Sequence, residues 1–221
     1  MLEWSQSASY DGVPGGHDLS APFTSLKLGL HPRLEFSADV GMVRSRFEDT
    51  QINGLADSEL GVKIVVFPES DLRPALAFKP TLEILGAATL TGSPLAPGRF
   101  NCVLPVVVQK SFDRSRWYYS AGYVSRGFAF HSLTMELNQW RKVIPVAIVS
   151  ASRATRQQDR LRELGLNRSR ADALVGVTVI ASPNWSLFTD AGRSVGRSDA
   201  NSTRYQVTAG VTYRWRLWGK R

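Results

Sequence analysis

Arg204-Tyr205-Gln206-Val207-Thr208-Ala209-Gly210-Val211-Thr212-Tyr213-Arg214-Trp215-Arg216-Leu217 alternates without a break. In an extended chain Tyr205, Val207, Ala209, Val211, Tyr213, Trp215 and Leu217 share one side. Arg204, Gln206, Thr208, Gly210, Thr212, Arg214 and Arg216 share the other. Successive side chains of a strand point to opposite faces, so this period of two reads as a β-strand with an apolar and a wet side. Most strands in soluble domains hold about 5–6 residues, whereas about 9–11 tilted residues cross a bilayer. Aromatic rings lie towards both ends of the apolar side, where membrane interfaces would fall. The stretch predicts the closing strand of an outer-membrane β-barrel.

The same pattern recurs upstream. Leu34, Phe36, Ala38, Val40 and Met42 alternate with Glu35, Ser37, Asp39 and Gly41. Leu60, Val62, Ile64 and Val66 alternate with Glu59, Gly61, Lys63 and Val65, and Leu76 to Ile84 behaves likewise. Strands are expected near 2–10, 18–30, 34–47, 56–67, 74–89, 99–112, 116–127, 129–138, 143–153, 171–182, 185–194 and 203–218. That makes about twelve, the even number a single-chain bacterial barrel requires. Tight turns are expected at 31–33, 68–74, 113–115, 138–142 and 183–184, and looser loops at 11–18, 48–55, 90–98, 153–170 and 196–202. The two kinds take turns except near Phe128, where a short connection stands in place of a long one. On this threading all six tryptophans (Trp4, Trp117, Trp140, Trp185, Trp215 and Trp218) fall at the short-turn end. A membrane barrel gathers such rings in a girdle at an interface.

The bulk numbers agree with a single barrel domain over 1–221. A hydrophobic content of 43% with 10% aromatics excludes a disordered chain. No run of about 18 apolar residues exists, so no spanning helix is expected; barrel strands carry a far weaker signal. The single cysteine, Cys102, rules out an internal disulfide and a Cys-based metal site, and reads as a small packing residue. Met1-Leu2-Glu3-Trp4 does not open a signal peptide. Either the sequence begins after such a segment or the protein is not exported.

Some motifs resemble a known family. Gly54-Leu55-Ala56-Asp57-Ser58-Glu59-Leu60-Gly61-Val62-Lys63 resembles a segment of the outer-membrane transporter-like proteins labelled "MetA-pathway of phenol degradation". The hairpin at 28–35, the Thr91-Gly92 loop and the ending at 208–215 are similar too. The sequence departs from the pattern at Ala56, at Leu90 and in its terminus Trp218-Gly219-Lys220-Arg221. The resemblance implies an outer-membrane barrel of about twelve strands that passes small organic compounds.

Function then depends on the wet faces. Turned inward, they would place Lys27, Glu35, Asp39, Asp57, Glu59, Lys63, Lys79, Glu83, Glu136, Asp172, Asp190, Arg204, Arg214 and Arg216 in a lumen. Charged rings in a lumen select solutes by sign. Lys63, Lys79, Arg204 and Arg214 are expected to attract solute, with Asp39, Asp57 and Glu59 countering. The competing reading is that these charges pair and plug the barrel, because buried charges need partners.

The net charge of +8 points to anionic partners. Arg153, Arg156, Arg160, Arg162, Arg168 and Arg170 crowd one external loop with a short helix expected from Gln157 to Leu164. Guanidinium groups pair bidentately with phosphate, so outer-membrane lipid, lipopolysaccharide included, is the expected partner, against a plain solvated loop. Nucleic acid is not expected, since no recognised fold or interleaved stacking aromatics are present.

No enzyme is expected. His131 and Ser132 are adjacent and so fall on opposite faces of a strand, which bars a nucleophile–base contact. Three scattered histidines make no metal site, and no cofactor is expected. Glycines on the wet stripe (Gly29, Gly41, Gly61, Gly176 and Gly210) are either room for large neighbours or kinks that close the sheet. The leading expectation is an outer-membrane barrel passing small organic solutes, aromatic or anionic among them, by facilitated diffusion. The alternatives are a closed barrel presenting the Arg-rich loop to lipid or a partner, and a soluble β-barrel that binds a ligand inside.

Overall fold

The computed structural model describes residues 1–47, 50–86, 90, 98–156, 158–163, 166–196 and 202–215, without the side chains of 158, 160 and 162. Arg216, Leu217, Trp218 and the Thr91-Gly92 loop lie outside the described residues. The strand segments are β1 (Leu2–Val13), β2 (Gly16–His31), β3 (Leu34–Phe47), β4 (Thr50–Leu55), β5 (Ser58–Phe67), β6 (Ala75–Phe78) and β7 (Thr81–Ile84). They continue as β8 (Phe100–Phe112), β9 (Ser115–Val124), β10 (Phe128–Leu137), β11 (Val143–Ala154), β12 (Ser169–Ile180), β13 (Trp185–Val195) and β14 (Tyr205–Trp215). A short helix, α1 (Gln158–Glu163), lies between β11 and β12, where the sequence predicts one.

Every pairing is antiparallel and β14 pairs back onto β1, from Leu2↔Trp215 to Gly12↔Tyr205. The ring closes through β3, β5, β6 with β7, and β8, while β4 pairs with β3 alone among the described residues. Two staves are broken. β3 pairs with β4 at its far end and with β5 at its near end, so β4 and β5 form one stave. β6 and β7 together fill the gap between β5 and β8. Fourteen segments therefore make a closed barrel of twelve staves, the number expected from the sequence. The second break follows from Pro80, which lacks an N–H for the ladder.

Connections at one end, with both described termini, are the short turns expected; this is the turn end. The opposite loop end is tighter than the sequence reading holds. Residues 11–18, expected to be a loose loop, form a hairpin in which strands run to Val13 and resume at Gly16. Pro14-Gly15 makes the turn, with Gly15 at φ 81°, a conformation that suits glycine at the second corner of a type II turn. Residues 48–55, also expected to be loose, are largely strand β4, with Thr50 already paired to Phe47.

The burial is inverted relative to a soluble protein. Leu26, Phe36, Val40, Leu60, Ile64, Leu104, Val149, Val175, Leu187 and Val207 are exposed on the outer face. Polar Ser37, Ser45, Thr81, Glu83, Asn101, Ser186 and Thr212 are buried on the inner one. A soluble barrel would turn its apolar faces inward, so that alternative fails. Cys102 sits exposed on the outer face and not in a packed core. The outer span of β14 from Trp215 to Tyr205 runs about 33 Å along the strand. A tilt of about 40° leaves roughly 25 Å of height, the apolar band of transmembrane barrels.

Rings mark both edges of that band. Trp4, Trp117, Trp140, Trp185 and Trp215 all lie at the turn end, as the threading predicts, and Trp185 and Trp215 both pack on Tyr213.

Candidate functional site

Strand register decides which side chains meet inside. Every Asp and Glu of the described strands faces inward: Glu3, Asp11, Asp18, Glu35, Asp39, Glu59, Glu83, Glu136, Asp172 and Asp190. Towards the turn end these groups find cations. Glu3 accepts from Lys27 at 2.9 Å and from Arg214 at 2.7 Å, a pairing made possible by closure of β14 on β1. Lys63 lies 2.9 Å from Glu35, and Arg116 lies 3.7 Å from Glu136.

Sequence reasoning did not identify Glu3 or Arg116 as lumen residues. Glu3 stands in the alternating run Leu2 to Tyr10, so its inward face was legible. Its partner Arg214 was not, because only barrel closure makes them neighbours.

Towards the loop end the balance tips. Asp39 and Glu59 face each other across the β3–β5 ladder, with Glu83 opposite Glu59 on β7. Glu83 is held by Asn101 at 3.2 Å and Arg126 at 3.6 Å. Asp57 stands in the break between β4 and β5 and accepts the Gly86 N–H at 2.7 Å. Asp11, Asp18, Asp39, Glu59 and Asp190 form no salt bridge among the described residues. Lys79 lies in the stave break beside Gly61 and is the nearby cation.

The expected attracting set is thereby rearranged. Lys63 and Arg214 are engaged by Glu35 and Glu3, and Arg204 is an exposed residue of the loop end, outside β14. Arg216 lies outside the described residues. The inner wall carries a net negative charge even though the chain as a whole is positive.

One sector is apolar. Register puts Phe130 on β10, Ile144, Val146 and Ile148 on β11, Leu174 and Ile180 on β12, and Phe188 on β13 on the inner face. The lumen thus has a charged wall over β1 to β7 and an apolar stripe over β10 to β13.

Four glycines of the wet stripe, Gly41, Gly61, Gly176 and Gly210, make room for neighbours, whereas a Cβ on Gly29 would meet nothing closer than 3.6 Å. A Cβ on Gly41 would stand 2.5 Å from the ring of Phe23, and one on Gly210 would stand 2.5 Å from the ring of Phe188. Both rings lie flat against the inner wall over a glycine of the next strand, an aromatic–glycine pairing that pins register. Gly61 similarly admits Ser37 and Lys79, and Gly176 admits Asp190.

The Arg-rich segment is divided. Arg153 points outward from β11, and Arg156 and Arg168 are exposed in the loop. The side chains of Arg160 and Arg162 lie outside the described residues. Arg170, expected to meet lipid phosphate, instead faces the lumen, because it shares a strand face with Asp172. Its guanidinium lies 2.9 Å from Asp172 and 2.8 Å from the hydroxyl of Thr203. Leu161 of α1 packs on inward-facing Phe128 and Ala154, which seats the helix against the rim of the loop mouth.

At the other mouth, Glu69 in the β5–β6 turn accepts the Ser111 N–H at 2.6 Å and the Gln109 amide at 3.0 Å. The Ser111 N–H holds the Glu69 carboxyl below its ordinary range, helped by Gln109. Lys110, pointing outward, donates to the Ser70 and Asp71 carbonyls at 2.8 Å each. The turn is clasped onto β8 from both sides. His131 faces outward and Ser132 inward, as the spacing predicts.

These features define a closed, twelve-stave, up-and-down barrel with a polar inside. No protein-family model and no curated protein matches the chain. Solved structures resemble its fold. The KdgM porin superposes with a TM-score of 0.63 at 9% identity over 96% of this chain and 99% of its own. An outer-membrane channel from Pseudomonas putida F1 gives 0.67 at 11% identity over 96% and 94%. LpxR from Salmonella typhimurium gives 0.63 at 11% identity over 96% and 100%. At such identities the likeness is one of fold.

Proposed function

We propose that this chain is a non-enzymatic, channel-like barrel of the bacterial outer membrane that passes small organic solutes by facilitated diffusion, favouring cationic over anionic ones. The observation that carries the reading is that the inward-facing cations of the turn-end half stay wet, although their partners Glu3, Glu35 and Glu136 keep only 13%, 21% and 26% of their surface accessible. Inside the wall, the side chains of Lys27, Lys63, Arg116 and Arg214 keep 41%, 37%, 42% and 49% of their surface accessible. A plugged interior would cover them. The acidic excess of Asp39, Glu59 and Asp190 supplies the sign preference, since fixed charge in a low-dielectric wall concentrates counter-ions. The apolar stripe gives an organic solute a surface to slide on. The resemblance of the short motifs to the MetA-pathway of phenol degradation family supports the same solute class. The apolar outer band and its Trp rim support the membrane location.

Planar-bilayer recording of the purified, folded protein tests this. A reversal potential under a potassium chloride gradient should report cation preference. Asp39→Asn combined with Glu59→Gln should move it towards zero. Anion preference in the unaltered protein would sink the charge assignment. Recovery as a soluble monomer without detergent would sink the membrane reading.

One observation favours a closed barrel instead: Leu161, 3% exposed, seats α1 against the inner rim at the loop mouth. A folded, inserted barrel without conductance would support that alternative.

A further inference from the structure

The outer face carries a charge pattern that solute passage does not use. All strand carboxylates point inward, whereas Arg44, Arg46, Arg153 and Arg193 point outward within a few residues of the loop end. Two of these join a row of rings. Tyr205 lies over Gly12, where a Cβ would stand 2.5 Å from its ring, so the missing side chain lets it rest on the wall. Tyr10 stacks on Tyr205 with centroids 5.9 Å apart, and His17 stacks on Tyr10 at 5.5 Å. Register then sets Arg46 beside His17 and Arg44 beside Leu19. Rings on β14, β1 and β2 run directly into two exposed guanidinium groups on β3.

Arg44 is next to the neutral amide of Gln51. Neither arginine pairs with a carboxylate among the described residues, to which Glu48 and Asp49 do not belong. Below the patch the same face continues as exposed Leu19 and Val207. An occupant must therefore be anionic above and apolar below.

We propose that this patch binds the phosphate-bearing headgroup of a lipid in the leaflet on the loop side. The proposal rests on the membrane reading above. Guanidinium forks match phosphate oxygens bidentately, and Tyr and His are amphipathic rings suited to headgroup depth. At the edge of a hydrocarbon layer such contacts are weakly screened, so two arginines suffice for preference. In this proposal the phosphate contact comes from the wall itself.

The test uses the full chain, folded in neutral detergent micelles. The temperature at which the folded gel band converts to the unfolded one is read with added phosphatidic acid, with neutral diacylglycerol, and with inorganic phosphate. Phosphatidic acid should raise it by several degrees and the other two should not. Arg44→Gln with Arg46→Gln should lose most of that rise, while Arg153→Gln with Arg193→Gln should keep it. If the double variant folds poorly, Arg46→Gln alone should still halve the rise. An equal rise in both double variants overturns the site, and an equal rise with inorganic phosphate overturns the lipid assignment. A barrel that inserts into vesicles yet ignores phosphatidic acid overturns this inference and spares the channel reading. Failure to insert at all overturns both.

Discussion

The two faces of the barrel wall have opposite chemistries only one residue apart. Outward positions hold exposed Val, Leu, Phe and aromatic rings, and their charges are all positive and confined to strand ends. Inward positions hold Ser, Thr, the carboxylates and the cations that meet them, with an apolar stripe confined to β10 to β13. The net charge of +8 therefore does not describe the lumen. Because a strand alternates sides, a sequence can carry two unrelated electrostatic programmes on one chain. Bulk charge is informative about partners only after it has been sorted by face.

The sharpest way to break this comparison is to move a charge across it. Val175, 66% exposed at the middle of β12, should tolerate arginine badly. Val175→Arg should cost about 2–4 kcal/mol, as for charges at the bilayer midplane. Thr178→Arg, three residues on and inward, should cost far less; urea unfolding in lipid vesicles compares them. An equal loss would mean that the outer face is not lipid-exposed.

Next in size is the aromatic–glycine packing that holds the inner wall. Gly210→Val would collide with Phe188 and with the Gln6 carbonyl, 2.7 Å from the added Cβ. A loss of about 1–3 kcal/mol is expected from such overpacking, read by the same titration. Phe188→Ala introduced into that variant should restore part of the loss.

A smaller effect is expected from Glu3→Gln. It removes the shared acceptor of Lys27 and Arg214, which are half-exposed, while Glu3 itself is 13% accessible. Stability should change by about 1 kcal/mol, above the range of fully exposed pairs and below that of buried ones. The reversal potential should still shift towards anions, because two cations are released into the lumen.

The smallest concerns pH at the turn mouth. The Glu69 carboxyl is held below its ordinary range by the Ser111 N–H, so its clasp is complete above the range of an unfolded glutamate. It weakens as pH falls through the lowered folded value. The protection factor of the Ser111 amide, its exchange measured against the intrinsic rate at each pH, should fall on acidification in the native protein and be low at all pH values in Glu69→Ala.

Much of the fold was legible because alternation is a local property. The stretches at 34–47 and 204–217 each state their two sides without reference to any other part of the chain. The hairpin at 11–18 was legible in principle as well, since Pro14-Gly15 is a turn pair; its Asp, Gly and His neighbours suggested loop when they were strand. Orientation was not readable from alternation alone, which serves a soluble sandwich equally. The site was less legible still. Arg214 and Glu3 stand at opposite ends of the chain, and only ring closure joins them. Arg170 was assigned to the outside with its loop neighbours, whereas a single strand position sends it in.

The tryptophans have a consequence for measurement. Because Trp4, Trp117, Trp140, Trp185 and Trp215 share one rim, the emission of a Trp218→Phe variant reports a single side of the wall. A quencher confined to one leaflet of a vesicle would therefore tell which way the barrel has entered, without any label being attached.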